Sequence, residues 1–129
     1  MGEDAIGREV VDAAVGVDQA LGPGLLGSVY EVALAYELRE RGLHVERQVS
    51  VPFRYKETQF DEGFRIDLLV ESRVVVEVKS VEALNNAHRK QVLTCLRVSN
   101  RKLGFLLNFG QALMKQGVIR IVNGLNTSQ

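Results

Sequence analysis

Asp67, Glu77 and Lys79 are the residues of this 129-residue chain whose types and spacing could do chemistry. They sit in two runs, Phe64–Val70 and Val74–Lys79, that are otherwise almost wholly apolar and are separated by Glu71-Ser72-Arg73. Such runs read as two strands joined by a short polar turn. Side chains alternate faces along a strand, so Glu77 and Lys79 share a face while Val78 points into the opposite layer. The turn decides where Asp67 goes. A three-residue loop would pair Val70 with Val74 and set Asp67 opposite Glu77 on the same face; a two-residue turn would send Asp67 to the other face. In the first case two carboxylates and an amine converge. Hard oxygen ligands suit Mg²⁺ or Mn²⁺. Asp67, Glu77 and the Val78 carbonyl could hold such an ion, while Lys79 positions or deprotonates a water and offsets phosphorane charge. That is the chemistry of phosphodiester hydrolysis. Charges inside a strand covered on both faces are costly unless paired or metal-bound. An Asp67–Lys79 salt bridge is therefore the competing explanation.

The elements that must position these residues follow from the apolar spacing. Ile6, Val10, Val11, Ala14, Val17 and Leu21 recur at helical intervals over residues 5–21, and Gly22-Pro23-Gly24 ends that helix. A second helix is expected over 28–41, with Ser28 as N-cap, Glu31 in the capping-box position and Gly42 at C′. Its inner stripe would be Val29, Val32, Ala33 and Tyr36. Residues 43–55 alternate as a strand with Val45, Val49, Val51 and Phe53 on one side, and Pro52 suggests an edge or a bulge. Lys56-Glu57-Thr58-Gln59 reads as a polar turn. A third helix over 81–98 would align Leu84, Ala87, Cys95 and Val98, with Gln91 within that stripe. Strands follow at 103–109 and 118–122, around a short helical or turn segment beginning at Gly110-Gln111, and a polar tail, 123–129, should fray. The segment 73–109 should be a right-handed parallel crossover. These elements predict a single α/β domain in which helices flank a mixed central sheet.

Composition sets further bounds. The chain is long enough to bury roughly two-thirds of its unfolded surface, which is one domain's worth of core. No apolar run approaches the length of a membrane span, and no basic-then-apolar leader opens the sequence. A single cysteine excludes an internal disulfide and a Cys-cluster metal site, so a cytoplasmic protein is expected. Net charge is zero but unevenly spread: residues 1–46 carry −6 and residues 47–129 carry +6. Such a molecule can turn a basic face to phosphate, although a dedicated duplex binder is usually more basic overall. Arg89, Lys90, Arg97, Arg101 and Lys102 form the densest basic cluster and are the candidate nucleic-acid-binding residues. A solubilising charge run explains them equally well. His44 and His88 are too far apart for a local metal motif, and Gly22-Pro23-Gly24 lacks the context of a phosphate-binding loop.

The order Asp67, then Glu77-x-Lys79, on a hairpin followed by a helix resembles the PD-(D/E)XK nuclease superfamily. More narrowly, Gly24-Leu25-Leu26-Gly27-Ser28-Val29-Tyr30, Glu37-Leu38, Arg41-Gly42-Leu43 and Leu107-Asn108-Phe109-Gly110 are similar to the GxxExxY proteins over residues 6–122. The resemblance implies a restriction-endonuclease-like fold and a Mg²⁺- or Mn²⁺-dependent nuclease site at Asp67, Glu77 and Lys79, with Gln91 as the supporting glutamine. It also implies DNA as substrate, and a homodimer would let two sites address two strands. Two positions depart from the pattern. Gly27 stands where the family has its named Glu, and Cys95 where a Tyr often follows the Gln by four residues. Glu31 follows one turn later, about 5.4 Å along the helix axis, which argues against direct substitution. These departures support a second reading, a nuclease-like module that binds nucleic acid or a protein partner without cutting.

Overall fold

The computed structural model describes residues 1–125, Glu62 by its backbone only. The chain runs α1 (Glu3–Leu21), α2 (Gly27–Glu40), β1 (Val45–Tyr55), β2 (Thr58–Val70), β3 (Val74–Lys79), α3 (Asn86–Ser99), β4 (Leu103–Asn108), a 3-10 turn at Met114–Gln116, and β5 (Val118–Val122). Among the described residues, five strands make one sheet in the order β1-β2-β3-β4-β5. The β3–β4 pair, bridged by α3, is parallel and the other three pairs are antiparallel, so the sheet is mixed as expected. Helices α1 and α2 bury Ile6, Val10, Tyr30, Leu34 and Leu38 against Leu68, Val76 and Leu107 on one face. On the other face, Val92 and Leu96 of α3 pack with Ile66, Leu69, Val75 and Leu106. This three-layer α/β core is the restriction-endonuclease-like arrangement.

Local structure departs from expectation in instructive places. Helix α2 starts at Gly27, is capped by Leu26 with no side-chain hydrogen bond, and has no Ser28–Glu31 capping box. Its buried side is Tyr30, Glu31, Leu34, Ala35 and Leu38. Of the expected stripe, Ala33 packs at the edge of this core, whereas Val29, Val32 and Tyr36 face outward, 41%, 50% and 64% exposed. Both stripes are apolar at helical spacing. Tyr30 decides between them: its ring stacks on Phe109 with centroids 4.4 Å apart, and its hydroxyl donates to the Gly22 carbonyl and accepts from Leu25 N–H.

Helix α3 begins at Asn86, five residues later than expected. Asn85 accepts from His88 N–H, while His88 Nδ1 accepts from Asn85 N–H, which closes a reciprocal cap. Upstream, the fully buried Asn108 side chain accepts from Val81 N–H at 3.0 Å and donates to Val81 C=O at 2.9 Å, keeping residues 80–85 out of the helix. Gly110 lies against the same backbone, where an added Cβ would overlap Val81. The buried residues of α3 are Val92, Cys95 and Leu96; Ala87 and Val98 are exposed.

The β1–β2 turn is only Lys56-Glu57, because Tyr55 already pairs with Thr58. β1 is an edge strand and its register shifts between Val51 and Phe53, which accommodates Pro52. Along β1 the simple alternation fails. Val45 packs in the α1–α2 core, whereas Val49 and Val51 pack in the α3 core. The change of face falls at Gln48, whose φ of 54° is left-handed. The tail does not fray from Asn123, whose N–H donates to Lys102 C=O and whose side chain donates to Arg101 C=O. The rest of the expected fraying, at 126–129, lies outside the described residues. No helix among the described residues is long and apolar enough to cross a membrane.

Candidate active site

The β2–β3 connection is the three-residue alternative. Val70 pairs with Val74 and Leu68 with Val76, and Glu71 and Ser72 take left-handed φ of 54° and 56° to close the turn. Continuing that register by one residue sets Asp67 opposite Glu77. Here side chains take over from the ladder. Val78 N–H donates to Asp67 Oδ2 at 2.8 Å, and Asp67 N–H donates to Glu77 Oε1 at 3.4 Å. Asp67, Glu77 and Lys79 line one cleft of about 350 Å³ on the α3 side of the sheet. Gln91 and His88 of α3 line it too, with Cys95 beneath and Gly63-Phe64-Arg65 of β2 on its flank.

No ion pair joins Asp67 to Lys79 among the described residues, so that salt bridge does not explain the charges. Burial pushes the Glu77 carboxyl up to about 8, and the Asp67 charge beside it pushes the same way; Lys79 opposes them more weakly. Burial also raises the Cys95 thiol to about 11, and the Glu77 charge adds to it. Cys95 is thus an inert thiol under the cleft, in agreement with its expected place in the core.

This donor set fits one small, hard cation. Two adjacent carboxylates whose joint ionisation is penalised gain most from a positive charge between them. No group of three His, Cys, Asp or Glu side chains among the described residues could hold a metal. The chemistry of a two-carboxylate set suits Mg²⁺, which takes one or two carboxylates and completes its shell with water and phosphate oxygens. It does not suit zinc, which prefers nitrogen and sulfur.

A family model described as the PD-(D/E)XK nuclease superfamily matches residues 4–121. The chain belongs to the PD-(D/E)XK nuclease superfamily. No curated protein and no solved structure matches the chain. The matched span runs from the first turn of α1 into β5, so superfamily membership applies to the sheet and to the helices α1, α2 and α3.

Within this superfamily member, the expected basic cluster is not part of the cleft wall. Arg89, Lys90 and Arg97 are exposed on α3, with Arg89 and Lys90 between the cleft-lining His88 and Gln91, and Lys102 is exposed before β4. Arg101 is half-buried and donates to Ser72 C=O at 3.1 Å, so it braces the β2–β3 turn. His44 lies elsewhere, 3.4 Å from Glu46. The flank formed by Phe64 and Arg65 is not apparent from the sequence, in which the apolar run begins at Phe64 whereas β2 extends back to Thr58. Nor is Gln48, whose Nε2 lies 3.3 Å from Asp67 Oδ1; a single polar residue in an edge strand gives no signal of such a contact.

Proposed function

We propose that this chain is a Mg²⁺-dependent nuclease of the GxxExxY group that hydrolyses DNA phosphodiester bonds. The observation that supports it most is the shared cleft of Asp67, Glu77, Lys79 and Gln91, with the Asp67 carboxylate pinned by Val78 N–H. Asp67, Glu77 and the Val78 carbonyl would hold Mg²⁺ or Mn²⁺. When bound, the ion supplies Lewis-acid polarisation of the phosphate and lowers the pKa of a water. Lys79 presents its ammonium from the same strand face, hydrogen-bonds the attacking water and offsets the negative charge that builds on the phosphoryl oxygens. Gln91 orients that water or the phosphate through its amide. Phe64 and Arg65 form the flank along which the strand lies, and Arg89, Lys90, Arg97 and Lys102 contact phosphates outside the cleft. Their contribution is sequence-independent and salt-sensitive. A homodimer would present two clefts to a duplex. A cytoplasmic setting goes with a lone, buried, free thiol.

Gly27 supports a second reading. The first residue of α2 carries no side chain, and its nearest neighbour at the Cβ position would be the Val78 carbonyl, 4.0 Å away. A non-cutting module that binds nucleic acid or a protein would tolerate that gap. Thermal unfolding with Mn²⁺ or with a DNA duplex separates the two. The nuclease reading expects Mn²⁺ at about a hundredfold over Kd to stabilise by about 2.7 kcal/mol, which Glu77→Gln abolishes. Stabilisation by DNA alone, with no response to Mn²⁺, would favour the module.

A further inference from the structure

Glu31 and Gln48 link the α1–α2 layer to the cleft on the other side of the sheet. Glu31 lies on the inner side of α2 and is only 5% exposed. A buried carboxylate must be paired, and Glu31 is: Arg47 reaches Oε2 through Nε at 3.1 Å and Nη2 at 2.9 Å. Gln48 Nε2 donates to the same carboxylate at 2.9 and 3.0 Å, and to Asp67 Oδ1 at 3.3 Å. Both neighbours of this amide are acceptors, so only its NH₂ end can face them. Asp67 is thereby held at both oxygens, Oδ1 by Gln48 and Oδ2 by Val78 N–H.

The backbone is bent to make this contact. Gln48 takes φ 54°, in the region that non-glycine residues rarely occupy, at the point where β1 changes face. Arg47 pairs with Leu68 and Val49 with Ile66, which brackets Gln48 and Asp67 at the same level of the hairpin.

We infer that Gln48, held by Glu31, is a positioning residue that fixes the Asp67 carboxylate for divalent-cation binding. The inference rests on the nuclease reading of the cleft and extends it to two residues that touch neither ion nor substrate. Partners that orient a ligating carboxylate are typically worth 10–100-fold in metal affinity. The Gln48–Asp67 bond is long and solvent-exposed, so about tenfold is expected.

The test is Mn²⁺ binding to the full chain by isothermal titration calorimetry, with the metal-free unfolding midpoint recorded alongside. Gln48→Gly keeps the left-handed backbone at no steric cost and removes only the amide. It should stay folded, with Arg47 still pairing Glu31, and bind Mn²⁺ about tenfold more weakly. Gln48→Asn, which tolerates the same backbone but is one methylene too short to span both carboxylates, should behave alike and serves if the glycine variant is destabilised. Wild-type affinity in a folded Gln48 variant, alongside lost binding in Glu77→Gln, would overturn the positioning role and leave the metal site standing. A wild type that binds no Mn²⁺ would overturn the site and the positioning role together.

Discussion

Glu77 accepts the backbone N–H of Asp67 at 3.4 Å while lying next to the Asp67 carboxylate, so the pair is held together despite like charge. Burial, and then the Asp67 charge, raise the Glu77 carboxyl from 4.5 to about 8. The native state therefore holds a proton that the unfolded chain releases near pH 4.5. That stabilisation is complete below pH 4.5 and is lost as pH rises to about 8. Without metal, stability should fall across this window by up to roughly 5 kcal/mol. Urea unfolding at pH 5 and pH 8 checks it, and Glu77→Gln should remove most of the difference.

Gly27→Glu should strengthen cation binding. An added Cβ at Gly27 meets only the Val78 carbonyl, at 4.0 Å, so the position has room. A carboxylate in the first turn of α2 also sits favourably in the helix dipole. The variant should bind Mn²⁺ roughly tenfold more tightly, by analogy with the effect of adjusting a ligand set. Calorimetric titration against wild type measures it.

The two apolar stripes of α2 should respond oppositely to mutation. Leu34 is fully buried, so Leu34→Ala should cost about 2–5 kcal/mol. Val32 is half exposed, and Val32→Ser should change stability by no more than about 0.5 kcal/mol. Urea denaturation of both variants gives the comparison.

Asn108→Ala should destabilise by roughly 2–4 kcal/mol. It removes the partners of Val81 N–H, Val81 C=O and Gly110 N–H from a fully buried position. Faster amide exchange at Val81 and Gly110 would accompany the lower unfolding midpoint.

What the sequence disclosed and what it hid have physical causes. The convergence of Asp67, Glu77 and Lys79 on one cleft was legible as one of two alternatives, because strand alternation is local but does not set the length of the turn; Glu71 and Ser72 in left-handed φ close the three-residue one. The mixed character of the sheet followed from apolar runs and one crossover helix. The inward face of α2 was not legible, because Val29-Val32-Tyr36 and Tyr30-Leu34-Leu38 have the same period; Phe109, far along the chain, selects the second. The start of α3 was hidden for a like reason. Val81 and Leu84 suit a helix locally, but Asn108 holds Val81 outside it. Gln48 was hidden because a left-handed residue in a strand, stabilised by Glu31 and Asp67, leaves no compositional trace.

Cleavage of linear, circular and single-stranded DNA with Mg²⁺ or Mn²⁺ tests the nuclease reading most directly. Wild type should cut at least one of these substrates only when the metal is present. Lys79→Ala and Glu77→Ala should each lose about 100-fold or more in rate, as when a charge-stabilising donor or a metal ligand is removed. A wild type that binds Mn²⁺ yet leaves every substrate intact, or a Lys79→Ala variant that cuts at the wild-type rate, would contradict it.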